Sequence, residues 1–148
     1  MKNQMIKNIN HMSFTVSDLD TSVNFYNKVL GLGIINISER SKEFAEKATG
    51  IKDAHLKIAY LNGGNCSIEL IQYIHPRGER IDIRTCDVGS AHICFNAQNF
   101  DEIVKKLKEN KVRFLGNPLK IPAGPNKGRQ MVYVKDPDSN ILEIIEIN

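Results

Sequence analysis

Polar and apolar residues alternate along residues 11–16. Met12, Phe14 and Val16 fall on one side of an extended chain, and His11, Ser13 and Thr15 on the other. That period of two predicts a half-buried β-strand over residues 9–16. The period then lengthens. Leu19, Val23, Tyr26 and Leu30 recur at near-helical spacing, with Asp18 placed to cap the start and Gly31 to stop the helix in a left-handed conformation. Residues 34–37 and 55–61 read as two further strands. Asn62-Gly63-Gly64-Asn65 predicts a hairpin turn that folds residues 66–73 back as a fourth.

The same order returns in the second half, faint in identity but clear in layout. Residues 91–96 put Ala91, Ile93 and Phe95 on one face and His92, Cys94 and Asn96 on the other. Asn99 is placed to cap a helix, with Glu102 in capping-box position and Phe100, Ile103, Val104 and Leu107 as the apolar stripe. Residues 113–115, 130–134 and 141–147 read as strands. The last two are joined by Asp136-Pro137-Asp138-Ser139-Asn140, where Asn140 is expected to supply the left-handed residue. Each half reads β-α-β-β-β, and short strands with only two regular helices imply an α+β fold. Residues 39–50 have no counterpart in the second half. Phe44, Ala45 and Ala48 predict a short amphipathic helix there, which either patches the surface or lids a cavity.

The 148 residues suffice for one domain of two small modules, about residues 6–75 and 88–148. A chain of this size buries about 70% of its unfolded surface and needs no disulfides to fold. Apolar residues at 41% and charged residues at 25% exclude a disordered tail and a collagen-like repeat. A net charge of +3, from 20 basic and 17 acidic residues, is too weak and too mixed to argue for nucleic acid. No apolar run approaches the roughly 18 residues of a membrane span. Residues 1–10 lack the apolar core and cleavage site of a secretory leader, so a cytoplasmic address is expected. Cys66, Cys86 and Cys94 show no C-x-x-C spacing and read as reduced thiols rather than a disulfide framework or zinc knuckle.

One sheet face must take the helix, and the other is free to line a cavity. If Met12, Phe14 and Val16 meet the helix, His11 faces the cavity. Parity then sets Glu69 opposite Ile68 and Leu70, His92 opposite Ile93 and Phe95, and Glu143 opposite Leu142 and Ile144. The four are also symmetric. The histidines open the first strand of each half, the glutamates lie in the last, and residues 39–50 account for the longer first separation. A carboxylate flanked by Ile and Leu inside a sheet is costly unless paired or metal-bound. Two carboxylates with two imidazoles suit one divalent cation, Zn, Ni, Co, Mn or Fe before calcium, and leave two octahedral positions for water or substrate. The alternative is a pair of core histidines with both carboxylates satisfied by Arg or Lys.

The strings INHMSFTVSDLDTSVNFYNKVLGLGI, SIELIQY, GSAHICFN and VYVKDPDSNILEII, in that order, resemble the vicinal-oxygen-chelate superfamily. That group holds glyoxalase I, methylmalonyl-CoA epimerase, extradiol dioxygenases, fosfomycin-resistance enzymes and bleomycin-binding proteins. The resemblance implies paired βαβββ modules forming a U-shaped mixed sheet around a metal site. His11, Glu69, His92 and Glu143 match the four-ligand pattern of the glyoxalase I and epimerase branch. The branch implies a metal-dependent lyase or isomerase, lactoylglutathione lyase-like, acting on a small dicarbonyl adduct or 2-oxo compound. In it the metal stabilises an enediolate, with Glu143 or Glu69 as the base. A homodimer and a small-molecule substrate are implied as well. The rival branches are an extradiol dioxygenase or fosfomycin-resistance-like enzyme, without a ligand at the Glu69 position, and a metal-free bleomycin-resistance-like binding protein.

Weaker features complete the reading. In the loop over residues 121–129, Pro122 and Pro125 stiffen the chain, while Lys127 and Arg129 either meet a substrate carboxylate or belong to an ordinary solvated loop. Cys94 reads more readily as a buried, inert thiol than as a pocket residue. His55 is expected to be structural, and His75 and the Arg77-Gly78-Glu79-Arg80 stretch to be solvated.

Overall fold

The structure, a computed structural model, describes residues 5–147. In the first half β1 (His11–Val16) leads into α1 (Leu19–Asn24) and a π-helical turn (Phe25–Val29). β2 (Gly33–Arg40), α2 (Lys42–Thr49), β3 (His55–Asn62) and β4 (Ser67–His75) come next. The second half runs β5 (His92–Ala97), α3 (Phe100–Glu109), β6 (Arg113–Phe114), β7 (Leu119–Lys120), β8 (Gln130–Lys135) and β9 (Ile141–Glu146). One sheet has the order β1-β4-β3-β2. The other has β5-β9-β8-β6, with β7 against β8. In each sheet the first strand runs parallel to the last, and every other pairing is antiparallel. This is the α+β architecture that the internal repeat predicts. β7, at two residues, is too short to show a period.

The chain divides into two compact units. One holds the chain up to Leu19 together with Leu32–Arg77, and the other holds Asp20–Gly31 and the chain from Gly78 onward. In the first, Leu56, Ile58, Leu61, Ile68 and Leu70 of β3 and β4 are buried. α2 docks on this core through Ala45, which packs with Ala54, Leu56 and Ile58. Ser41 Oγ caps α2 by accepting from the Phe44 amide at 3.3 Å, and Gly50 ends it with φ 70°. The predicted stripe of this helix needs correction. Ala45 is fully buried whereas Phe44 is 57% exposed, because a helix lying close on a strand admits only a methyl at the contact.

In the second unit the helical segment after β1 buries Phe25, Tyr26 and Val29. Val29, not Leu30, closes the stripe, since the π turn inserts an extra residue and rotates the end of the segment. α3 buries Phe100, Val104 and Leu107, and the β8–β9 pair contributes Val132, Val134, Leu142 and Ile144 to this core. Two cap and turn expectations are overturned. Asn99 precedes α3, but its side chain makes no bond to the helix backbone and instead donates from Nδ2 to Glu102 Oε2 at 3.3 Å. Ser139, not Asn140, takes the positive φ, at 70°. Asn140 is held by Asp136, whose carboxylate accepts from the Asn140 amide at 2.8 Å and from Nδ2 at 2.9 Å, so the residue before it makes the turn. Among the described residues no helix is long and apolar enough to cross a membrane.

Candidate metal centre

His11 opens β1, paired in parallel with Ser67 of β4. Two residues further along β4, on the same face, stands Glu69. His11 Nε2 lies 3.4 Å from Glu69 Oε2. The second sheet repeats this offset. His92 pairs with Ile141, Glu143 stands two residues on, and His92 Nε2 lies 3.0 Å from Glu143 Oε2. β4 and β9 each lie between two other strands and are apolar on the opposite face, which buries the carboxylates. Glu69 is 6% and Glu143 9% exposed. The histidine side chains are 36% and 42% exposed, so each pair presents a wet imidazole and a nearly dry carboxylate. The basic side chain beside each carboxylate is thus a histidine, not a lysine or an arginine. The four predicted ligands come together as two pairs, each within its own unit, and among the described residues no group of three or more His, Cys, Asp or Glu side chains is close enough to hold an ion.

The donor chemistry fits a cation. His11 Nδ1 is 2.8 Å from Asn10 Oδ1, which leaves Nε2 as the ring nitrogen turned to Glu69. Nε2 faces Glu69 Oε2 at 3.4 Å. Only a proton or a metal ion between them makes that contact favourable. Two ligands about 2.1 Å from one ion stand about 3.0 Å apart at an octahedral angle and about 3.4 Å apart at a tetrahedral one, and both His–Glu spacings lie in that range.

Periodicity along single strands did not reveal Tyr60 and Tyr133. Each lies directly opposite a glutamate in antiparallel register, Tyr60 with Glu69 and Tyr133 with Glu143. Tyr60 Oη donates to Glu69 Oε1, and the Tyr133 phenol lies within the influence of the Glu143 charge. Both phenols are pushed above their ordinary range, by desolvation first and by the neighbouring carboxylate second.

Cys94 is in register with Glu143, the place that Ser13 holds beside Glu69. It is exposed rather than buried, because β5 is an edge strand of its sheet. Its thiol is pushed up to about 11, by desolvation and then by Glu143, which keeps it protonated and unreactive. His55 pairs with Glu39 at 3.1 Å, and His75 is exposed. In the loop over residues 121–129, Arg129 turns inward to Asn126 Oδ1 at 3.1 Å while Lys127 is exposed. Arg80 is not merely solvated, since it pairs with Asp138 at 3.2 Å. The next stretch of chain is pinned by Lys135, whose buried ammonium bonds to Asp82 and, at 3.0 Å, to the Ile83 carbonyl.

Two mixed sheets of one topology, each offering a histidine and a glutamate at one register offset, define a paired-module protein of the glyoxalase type. The model of the Glyoxalase/Bleomycin resistance protein/Dioxygenase superfamily matches residues 8–144. The chain belongs to that superfamily, the vicinal-oxygen-chelate proteins. It is 29% identical over 144 residues to a 2-epi-5-epi-valiolone epimerase of an Actinomyces species, covering 94% of this chain and 79% of the relative. Over 143 residues it is 32% identical to the metallothiol transferase FosB of Staphylococcus epidermidis (94% and 81% covered) and 29% identical to the lactoylglutathione lyase of Escherichia coli O157:H7 (92% and 90%). A glyoxalase family protein from Bacillus cereus shares the fold with a TM-score of 0.85 at 19% identity, covering 99% of this chain and 97% of that one. The epimerase, the transferase and the lyase are enzymes, and they support a metalloenzyme of this superfamily.

Proposed function

We propose that His11, Glu69, His92 and Glu143 hold one divalent metal ion, and that the protein is a glyoxalase-type lyase or isomerase acting on a small dicarbonyl adduct or 2-oxo compound. The observation that carries this reading is the pairing of a histidine Nε2 with a buried glutamate oxygen in each unit, 3.4 Å for His11 and Glu69 and 3.0 Å for His92 and Glu143. A bound divalent ion supplies Lewis acidity toward substrate oxygens. The chain's own residues do the rest. The glutamates are buried, hydrogen-bonded and free of any lysine or arginine ion pair among the described residues, so a carboxylate oxygen is available to take and return a proton at the carbon beside a carbonyl. The apolar residues flanking each glutamate exclude water from the opposite sheet face.

The 32% identity to a metallothiol transferase favours one second reading, thiol transfer at the same centre. A homodimer is part of the proposal, supported by Ile34, Ile35 and Ile37, which are exposed on the edge strand β2.

The test is metal content of wild type beside Glu143→Ala, by mass spectrometry, after incubation with Ni, Co, Zn and Mn. About one ion per wild-type chain, lost in the variant, is the expected result. A substrate screen on the loaded enzyme then separates proton transfer from thiol transfer. Wild type that takes up no metal overturns the reading.

A further inference from the structure

The internal repeat carries one more matched pair of residues, and each member stands beside both halves of its histidine–glutamate pair. Tyr60 Oη donates to Oε1 of Glu69, while His11 faces the other oxygen, Oε2. Its ring also meets the His11 imidazole edge-on, with centroids 5.9 Å apart and planes at 85°. Tyr133 stands directly opposite Glu143, whose Oε2 faces His92, and its ring meets the His92 imidazole at 5.3 Å and 89°. The two arrangements arise from the same device. In each sheet the tyrosine is the antiparallel partner of the glutamate, and the histidine sits two residues off register on the parallel side. Each carboxylate is thereby flanked from both neighbouring strands.

Such flanking has a definite chemical consequence. The terminal torsion of a glutamate is broad and roughly two-fold, so a buried carboxylate left to itself presents either oxygen. A donor fixed on one oxygen leaves the other facing the imidazole. A phenol suits the task better than a lysine or an arginine, because it satisfies one oxygen without neutralising the negative charge.

We propose that Tyr60 and Tyr133 are positioning residues that fix which oxygen of Glu69 and of Glu143 is offered, beside His11 and His92, to a bound divalent ion. This role rests on the proposed metal site. Groups that hydrogen-bond to metal ligands typically change affinity about 10–100-fold when removed.

The test uses full-length metal-free protein and Co(II) as the probe. Tyr60→Phe, Tyr133→Phe and the double variant each lose only a hydroxyl. Tyr73→Phe is the control, since Tyr73 and Tyr60 both pack on the Ala45–Ile58 cluster but Tyr73 stands opposite Leu56 rather than a glutamate. We expect unchanged circular dichroism in all of them. We expect Co(II) dissociation constants raised about 10–100-fold, with a shifted visible absorption band, in the Tyr60 and Tyr133 variants only. Wild-type affinity and spectrum in the double variant overturn the proposal and leave the metal-site reading standing. Failure of the wild type itself to take up Co(II) overturns the metal-site reading and this inference with it.

Discussion

Tyr26 Oη donates a 3.0 Å hydrogen bond to Asp136 Oδ2, and this bond ties the helical segment after β1 to the β8–β9 turn inside the second unit. Asp136 is 5% exposed and also accepts from the Asp138 and Asn140 amides. Tyr26→Phe leaves this buried carboxylate one donor short. Urea denaturation should show a loss of about 1–3 kcal/mol. Stability equal to wild type would mean that the turn holds without the phenol.

Asp136 and Asp82 respond to pH in opposite senses. Burial holds the Asp136 carboxyl above its ordinary range, although Asn140 and Tyr26 pull it back. The folded state therefore binds that proton more readily than the unfolded one, and the stability it contributes is lost as pH rises through the carboxylate range. Hydrogen bonds from Lys135 and Arg113 hold Asp82 below its ordinary value, so its contribution is present at neutral pH and is lost on acidification. Asp82→Asn should lower the melting temperature at pH 7, since it strips the buried Lys135 ammonium of its anionic partner. The gap to wild type should narrow as pH falls below the ordinary aspartate value of about 3.9. A gap that widens in acid would contradict the assignment.

Ser22 is fully buried, and its Oγ has no hydrogen-bond partner among the described residues. An unpaired buried hydroxyl costs about 1–3 kcal/mol. Ser22→Ala should raise stability by about 1 kcal/mol, also improving intrinsic helix propensity. Chemical denaturation showing a loss instead would reveal a bond to that hydroxyl.

Gly63 sits in the β3–β4 hairpin, where a Cβ would lie 2.5 Å from the Cys66 carbonyl oxygen. That oxygen accepts from the Gly63 amide at 3.0 Å, so the turn cannot open without losing the bond. Gly63→Ala should cost about 1–3 kcal/mol. Gly64, with φ 90° and open space around it, should cost about 1 kcal/mol when changed to Ala. Thermal melts of the two variants side by side decide the order, and a larger loss at Gly64 would refute the clash.

How much of this was legible in the sequence depends on where the information lies. His11, Glu69, His92 and Glu143 could each be assigned a sheet face because single-strand alternation encodes it. Tyr60 and Tyr133 could not be found that way. Their partners are set by register across strands, which the β3–β4 hairpin and the β8–β9 turn determine. The π turn is likewise invisible to a count at helical spacing, and it moved the last buried contact from Leu30 to Val29. Lys135 and Asp82 meet across irregular chain, where no period exists to read.

The shared register offset has a consequence for assembly. A slip of β9 by one residue against β5 and β8 would turn Glu143 to the opposite face and swing Leu142 and Ile144 toward His92. The same slip would unmake the apolar core, because core and carboxylate occupy alternate positions of one strand. The histidine–glutamate geometry therefore reports on strand order itself, and a sheet that closes wrongly loses its chemistry and its cohesion together.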